Sequence, residues 1–289
     1  MARSGKRFAV PKGTRDILPP ETAIWSAVEY TARRVFARYG FGEIRTPIFE
    51  DTELFARAVG ESSDIVGKEM YSFIDKSERK LTLRPENTAP VVRAYVEQML
   101  RQPQPAKLFY IGPQFRYERP QKGRYRQFHQ IGAELLGGAG AESDAEVLLM
   151  LVAFLTELGF KEIKALLNTV GDAASRAAYK ATLVEFLENR KEELSEESRR
   201  RLATNPLRIL DSKSPQEQAL LASAPQLRNS LTANSLAQFD SVCQALDRFG
   251  VAYEVSPRLV RGLDYYTNTV FEIVSEGLGA QNAICGGGA

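Results

Sequence analysis

The sequence predicts an α+β protein: an antiparallel β-sheet flanked by helices, with a helical insertion in the second half of the chain. Short strand-like runs are separated by turns and loops more often than by regular crossover helices, which favours antiparallel pairing. Residues 172–249 instead alternate charge and leucine with no strand-like run. Strand character returns after residue 250, so the last segment is expected to complete the sheet.

The elements can be placed in chain order from their periodicity. Apolar residues at helical spacing, from Ile24 to Tyr39, predict a first helix, and Gly40 stands where a left-handed residue would end it. The other predicted elements are a helix at 145–158, closed by Gly159, and strands at 43–47, 81–84, 108–111, 253–255 and 269–274.

These elements predict a discontinuous core at 1–171 and 250–289, interrupted by a helical insertion domain at 172–249. Prolines 206, 215 and 225 divide the insertion into several short helices. The charged run at 192–201 is expected to be a solvated helix face, and an RNA contact is the alternative.

Composition limits the possible functions. With 289 residues and 44% apolar content, the chain can bury at least one full core. The net charge is only +2, so attraction to nucleic acid must come from local patches. Cys243 and Cys285 lie in no metal-type spacing, and a single histidine, His129, argues against a histidine-dependent triad or a multi-histidine metal centre. We expect a cytoplasmic protein with no membrane segment, since no apolar run approaches ~20 residues.

Residues 115–130 form the most informative segment of the chain. Polyphosphates are gripped by guanidinium groups, and a nucleotide base can lie on an aromatic ring, so the composition of this loop indicates a nucleotide site. A hairpin with a basic surface is the alternative, although its cations would repel one another unless an anion joined them. The cations are Arg116, Arg119, Lys122, Arg124 and Arg126, and the rings beyond Phe115 are Tyr117, Tyr125 and Phe128.

Strand alternation assigns faces within this segment. Arg116 and Glu118 are expected on one face of a strand, where one holds a phosphate and the other accepts from an amino group. The following strand should place Gln130 and Glu134 on the face of Phe128, with Gly132 leaving space between them. His129 falls on the opposite face and is predicted to be structural.

Two further motifs carry polar groups at strand ends. Glu86 and Thr88 follow a predicted strand, where the carboxylate is suited to accept from an ammonium group; a proline turn that caps the next helix is the alternative. In residues 259–272, Arg261 precedes Gly262 and a tyrosine pair, and packing is the alternative role for the tyrosines. The glycines of 285–289 indicate a backbone approach to a ligand or to another strand, or else a flexible terminus.

Together, residues 115–130, the Leu-Arg-Pro-Glu segment at 83–86 and Arg-Gly-Leu-Asp-Tyr-Tyr at 261–266 resemble the histidyl-tRNA synthetases, a family of class II aminoacyl-tRNA synthetases. The resemblance extends from Lys12 to the last glycine. The arginine–glutamate feature marks only the class, whereas residues 261–266 resemble a histidine-specific signature.

The resemblance implies a class II catalytic domain that activates histidine with ATP and transfers it to the 3′ end of tRNA(His). Mg²⁺ is expected mainly through the ATP phosphates, without a protein metal site, and residues 39–47 match a homodimer interface. The implied catalytic residues are Arg116 and Arg261. The implied histidine-binding set is Glu86, Asn87, Thr88, Arg116, Gln130, Glu134, Arg261, Tyr265 and Tyr266. The implied ATP-binding set is Arg116, Glu118, Arg124, Tyr125 and Phe128.

Individual roles follow from the same resemblance. Arg116 matches the arginine on the α-phosphate and the amino acid carboxylate, and Arg261 the cation at the scissile phosphate. Glu118 matches the residue that faces the adenine amino group, and Phe128 matches the ring beneath adenine. Arg124 matches the loop cation near the γ-phosphate. Glu86, Thr88 and Gln130 match the groups that hold the amino end, and Glu134 and Tyr266 the imidazole readers.

The chain also departs from the family pattern. It stops at Ala289, before the third class motif and the anticodon-binding domain, so a catalytic-domain fragment with weak or no activity is expected. Asn87 stands where glycine is common and is expected to narrow the pocket rim. Two alternatives remain: the non-catalytic regulatory subunit of ATP phosphoribosyltransferase, which shares the fold, and a plain RNA-binding module.

Overall fold

The computed structural model describes residues 8–60, 65–121, 123–138, 140–212, 214–261, 265–275 and 283–289. The chain separates into two compact units, Met1–Leu136 and Gly137–Ala289, and each is described by itself. Both mix helices with small, mainly antiparallel sheets, so the predicted α+β class is confirmed. The predicted division at residues 172 and 249 stays a prediction.

The first unit contains two three-stranded sheets. Strand order is β1-β5-β6 in one and β2-β4-β3 in the other, and β1–β5 is the one parallel pair among these described strands. The elements are α1 Glu21–Arg38, β1 Gly42–Glu43, β2 Phe49–Asp51, α2 Thr52–Val59, a π-helical turn Ile65–Glu69, β3 Tyr71–Ile74, β4 Lys80–Leu83, α3 Thr88–Gln98, β5 Ala106–Phe115 and β6 Gln127–Leu136.

The first helix ends as predicted. Gly40 has φ +78°, and its amide donates to the Ala37 carbonyl while that of Phe41 donates to Phe36, the pattern of a glycine-terminated helix. The predicted apolar face is only partly buried. Phe36 is buried and its ring meets Phe109 edge-on, whereas Ile24, near the start of α1, is 66% exposed.

Strands β5 and β6 form a ten-residue antiparallel ladder without a register shift, from Ala106 opposite Leu136 to Phe115 opposite Gln127. Because side chains alternate along an uninterrupted strand, the predicted shared face of Phe128, Gln130 and Glu134 is confirmed. The strand predicted at 43–47 is only two residues long.

The second unit has one four-stranded sheet in the order β10-β9-β7-β8, in which β7–β8 is parallel and the other pairs are antiparallel. The last segment of the chain forms strands, as predicted, but in the described part of the chain they belong to this separate sheet with β7 and do not pair with the strands predicted at 81–84 and 108–111. Its elements are α4 Ala141–Glu157, β7 Ile163–Thr169, α5 Ala173–Glu188, α6 Glu196–Thr204, α7 Pro215–Leu221, α8 Ala233–Arg248, β8 Tyr253–Val255, β9 Thr269–Ser275 and β10 Ala283–Gly288, with 3₁₀ turns at Lys191–Glu193, Pro206–Asp211 and Leu227–Ser230.

Within 172–249, the described residues form helices and turns only, as the sequence predicts. They share a buried apolar cluster that includes Tyr179, Leu183 and Ile209. Asp172 links the start of α5 to the start of α8, since it accepts from the Ser175 amide (2.8 Å) and the Thr232 hydroxyl (2.7 Å). These donors lower the pKa of Asp172 to about 2.

None of the described helices is long and apolar enough to cross a membrane. Cys243 and Cys285 are free thiols.

Candidate active site

The predicted site residues form two groups, one in each unit. The first unit carries the Glu86–Thr88 turn, the loop that follows β5, and one face of β6. The second unit carries Arg261 and the tyrosine pair.

Glu86 caps helix α3. Its two carboxylate oxygens accept the backbone amides of Thr88 (2.7 Å) and Ala89 (3.0 Å), so the helix-capping alternative describes this turn. The residue is buried, and its burial raises the pKa of the carboxyl group. Each carboxylate oxygen has two lone pairs, so the capped group still has the capacity to accept from an ammonium.

Thr88 links this cap to strand β6. Its hydroxyl donates to Glu134 Oε1 at 2.7 Å. Burial raises the pKa of Glu134 to about 7, and the charge of Glu86 adds to the effect, while the Thr88 hydrogen bond opposes it. The result is a pair of carboxyl groups around one hydroxyl, an environment in which a cation or an N–H donor would stabilise the ionised forms.

The β6 face between these groups is fuller than the sequence suggests. Tyr110 lies opposite Gly132 in the ladder, and a Cβ on Gly132 would stand 2.2 Å from the Tyr110 hydroxyl oxygen. The predicted open space at Gly132 is therefore wrong, because the cross-strand tyrosine leans over the glycine. Gln130 Oε1 is buried and has no hydrogen-bond partner among the described residues.

Arg116 is anchored by one nitrogen only. Its Nε donates to the Pro85 carbonyl at 2.8 Å, and its guanidinium carbon lies 5.2 Å from the Phe128 ring centroid. In the described part of the chain, its two terminal nitrogens have no hydrogen bond. A guanidinium fixed in this way presents a fork for an anion, next to an aromatic ring.

The strand argument for Arg116 and Glu118 is wrong. Strand β5 ends at Phe115, and although the Arg116 amide still donates to the Arg126 carbonyl (2.9 Å), the Tyr117 amide donates to the Glu69 carbonyl (2.7 Å), so the extended strand does not reach Glu118. Glu118 faces Arg124, with 3.4 Å between Oε2 and Nη1. This pair relieves part of the repulsion predicted for the loop.

Two aromatic rings of this loop lie against arginine side chains. The Arg126 guanidinium lies 3.8 Å from the centroid of Tyr117, and that of Arg15 lies 5.4 Å from the exposed Tyr125. Lys122 lies outside the described residues. His129 is exposed on the opposite face of β6, as predicted, and meets Trp25 edge-on at 4.9 Å, while its structural role stays a prediction.

In the second unit, Arg261 is bound by a carboxylate. Its Nη1 lies 2.6 Å from Glu272 Oε1 on β9. Gly286 of β10 pairs with Glu272, and a Cβ on that glycine would stand 2.5 Å from Arg261 Nη1. Of the alternatives for residues 285–289, approach to another strand is the one observed. Gly262 lies outside the described residues.

The tyrosine pair is partly packed. The rings of Tyr265 and Tyr266 are 4.7 Å apart, and the Tyr266 carbonyl accepts from Arg176 Nη1 at 3.0 Å. The Tyr266 ring also packs against the apolar cluster of the helical stretch, so the packing alternative describes part of its surroundings.

A family model described as histidyl-tRNA synthetase matches residues 13–289. The chain belongs to the histidyl-tRNA synthetase family. It is 54% identical over 278 residues to a histidine–tRNA ligase of Synechococcus elongatus, covering 96% of this chain and 64% of that protein. A histidine–tRNA ligase of Streptococcus pneumoniae is 51% identical over 281 residues, with 96% and 66% covered.

The solved structures agree with the family assignment. The crystal structure of apo Staphylococcus aureus histidyl-tRNA synthetase matches with a TM-score of 0.78 and 40% identity, over 98% of this chain and 66% of that one. This match confirms the class II fold. A Bacillus halodurans protein titled ATP phosphoribosyltransferase regulatory subunit/histidyl-tRNA synthetase matches with a TM-score of 0.70 and 24% identity, over 97% and 76%, which shows the fold alone. The chain thus spans about two thirds of the length of the synthetase relatives.

Sequence reasoning gave no place in the histidine or nucleotide site to three residues that contact its members. Arg84 and Thr46 hold the Glu86–Thr88 turn from behind. Glu272, which binds Arg261, is the only charged side chain in strand β9. A lone carboxylate in an apolar strand signals a partner, and that signal was available from the sequence.

Proposed function

We propose that this chain carries the catalytic domain of a histidine–tRNA ligase, which activates histidine with ATP and transfers it to the 3′ end of tRNA(His). The observation that carries the proposal is the Glu86–Thr88–Glu134 cluster, in which Thr88 donates its backbone amide to one acidic group of raised pKa and its hydroxyl to another. Histidine supplies an ammonium and two ring nitrogens, the groups that such a cluster lacks. The similarity to histidine–tRNA ligases supports the same function.

The histidine-binding roles follow from these contacts and from the family resemblance. Glu86, Thr88 and Gln130 hold the amino end, and the unpartnered buried oxygen of Gln130 suits an N–H donor. Glu134 reads the imidazole, and Tyr265 and Tyr266 complete the histidine set. A pocket that must hydrogen-bond its ligand can reject others by ~10⁴ without editing.

The activation step needs positive charge rather than a base. The attacking carboxylate of histidine is already ionised, and charge builds on the α-phosphate as its oxygen attacks in line. Arg116, whose terminal nitrogens make no hydrogen bond among the described residues, offers a fork for the substrate carboxylate and the phosphate, and Arg261 is the second catalytic cation. Phe128 supports adenine and Glu118 accepts from its amino group, while Arg124 and Tyr125 contribute to the nucleotide loop.

Mg²⁺ is proposed to arrive with the ATP phosphates. Among the described residues, no group of three or more His, Cys, Asp or Glu side chains lies close enough together to hold a metal ion. The residues offered to the nucleotide are arginines, which suit the phosphate oxygens that Mg²⁺ leaves free. The ion supplies charge neutralisation on the pyrophosphate leaving group.

Three further parts of the proposal rest on the family resemblance. Residues 39–47 contribute to a homodimer, which sedimentation would test. The helical stretch 172–249 is an insertion into a core formed by 1–171 and 250–289. The protein works in the cytoplasm, where tRNA is charged.

Titrations with histidine, ATP and a non-hydrolysable histidyl-adenylate analogue test the proposed function. We expect each ligand to bind, the analogue to displace both of the others, and histidine to stimulate ATP–pyrophosphate exchange. If histidine binds but ATP does not bind in competition with the analogue, the result would favour the regulatory paralogue instead. Binding of RNA that falls steeply with salt, with no response to either small ligand, would favour the RNA-binding module and contradict the proposal.

A further inference from the structure

The turn that carries Glu86 and Thr88 is supported by hydrogen bonds that start at a buried arginine. Arg84 is 6% exposed, and its Nε donates to the Pro113 carbonyl (3.0 Å). Its Nη1 donates to the carbonyl (3.0 Å) and the hydroxyl (3.0 Å) of Thr46. Its hydrogen-bond partners in the described part of the chain are neutral oxygens. Burial lowers the pKa of Arg84 although the charge of Glu50 opposes the effect, so the neutral acceptors around the guanidinium help to keep it in place.

The Thr46 hydroxyl connects Arg84 to Asn87 in the turn. It accepts from Arg84 Nη1 and donates to Asn87 Oδ1 at 2.6 Å. A hydroxyl has one proton and two lone pairs, so the direction of this chain of hydrogen bonds is set by the arginine, which only donates. Asn87 is fully buried, and its Nδ2 has no partner among the described residues, so the Thr46 hydroxyl is the contact that orients its side chain.

Asn87 lies between the two residues proposed to hold the substrate's amino end. It precedes the first residue of α3, where Glu86 accepts the amides of Thr88 and Ala89. A rotation of the Asn87 backbone would therefore move both Glu86 and the Thr88 hydroxyl. This structure places Asn87 in the support of the pocket rather than at its rim, which differs from the sequence-based expectation.

We propose that Thr46, through Arg84 and Asn87, is a positioning residue that sets the geometry of Glu86 and Thr88 for the ammonium group of histidine. The inference rests on the proposed function, because it takes histidine as the ligand of this turn. Thr46 comes 41 positions before Asn87 and lies next to a two-residue strand, so no local pattern marks it.

The test compares Thr46→Val, which keeps the shape but loses the hydroxyl, with Thr46→Ser, which keeps the hydroxyl. The ligands are histidine, imidazolepropionate, which lacks the amino group, and ATP. We expect Thr46→Val to weaken histidine binding by about 10-fold, while affinities for imidazolepropionate and ATP stay within about 2-fold. Thr46→Ser should restore histidine affinity to within about 3-fold of the parent.

The outcomes distinguish a failure of the proposed function from a failure of the positioning role of Thr46. A parent protein that binds no histidine contradicts the proposed function itself. A parent that binds histidine, with an unchanged affinity in Thr46→Val, overturns only the positioning role. Equal losses for all three ligands would also overturn it, since they would show general damage. If Thr46→Val does not fold, Asn87→Ala breaks the same link from the other end and is measured against the same ligands, with the same pattern expected.

Discussion

The acidic cluster of the first unit and the arginine site of the second unit are held in opposite ways. Glu86 and Glu134 receive backbone amides and a hydroxyl, and the pKa of each carboxyl group is raised. Arg261 instead has a carboxylate, Glu272, at 2.6 Å and lies over a glycine of β10. At the first site, burial outweighs the charge of Arg116, which by itself lowers the pKa of Glu86, whereas at the second site a carboxylate contacts the guanidinium directly.

This difference indicates what each site is prepared to receive. An ammonium or imidazole N–H that enters the first site removes an electrostatic cost, because it stabilises carboxylates that burial disfavours. In the second site, the carboxylate orients the guanidinium and leaves its other nitrogens for a transient anionic charge. Substitutions of the acidic cluster should therefore act mainly on histidine binding, and those that displace Arg261 mainly on the rate of activation.

The largest effect is expected for Glu134→Ala, which removes the carboxyl group shared with Thr88. In the ATP–pyrophosphate exchange assay, kcat/KM for histidine should fall by at least about 100-fold. The reason is that a pocket that loses a hydrogen-bond partner of its ligand binds that ligand less selectively. The matched control is Glu97→Ala, an exposed glutamate paired with Arg93 on α3. Unchanged selectivity for histidine in Glu134→Ala would show that this carboxylate does not read the ligand.

Gly286→Ala should damage the arginine site without touching the acidic cluster. The new methyl group would stand 2.5 Å from Arg261 Nη1 and 2.9 Å from the Phe271 carbonyl oxygen, so the guanidinium must move. We expect about a 10-fold lower kcat in the exchange assay and a smaller loss of histidine affinity, because Arg261 is proposed to act mainly on the phosphate during activation. Gly67→Ala, where an added Cβ meets nothing within 4 Å, is the control. A loss of histidine affinity equal to the loss of kcat would break the distinction between the sites.

The electrostatic cost of the acidic cluster should be visible in stability. The pKa of Glu134 rises from an ordinary 4.5 to about 7, so the folded protein binds the proton more tightly than the unfolded chain. The free energy of unfolding should then fall by about 3 kcal/mol as pH rises from 4.5 to 7. Glu134→Gln removes this term, so its stability relative to the parent should increase across that window. Chemical denaturation at pH 5 and pH 7.5 measures it, and equal differences at both pH values would contradict the assignment.

The smallest effect is expected for His129→Ala. The imidazole is exposed, lies on the other face of β6 and contacts Trp25. Exchange activity should stay within about 2-fold of the parent, because surface contacts of this kind contribute little. A loss beyond 10-fold with intact folding would place this histidine in the chemistry and weaken the acidic-cluster account.

Local signals predicted the parts of the molecule that depend on neighbouring residues. Gly40 marked the end of α1, and strand parity placed Gln130 and Glu134 on one face. Contacts between distant segments left no comparable trace. No local pattern shows that Tyr110 fills the space at Gly132, or that the Tyr117 amide donates to the Glu69 carbonyl instead of continuing the ladder. Such details depend on which side chains and carbonyls meet after folding, and periodicity does not encode them.

The most direct test is a calorimetric titration with the non-hydrolysable histidyl-adenylate analogue, carried out on the parent protein and on Glu134→Ala. The account predicts one analogue per chain, displacement by histidine and by ATP, and about 100-fold weaker binding to the variant. Equal analogue affinity in the two proteins, or an analogue that neither histidine nor ATP displaces, would contradict the claim that the acidic cluster receives histidine.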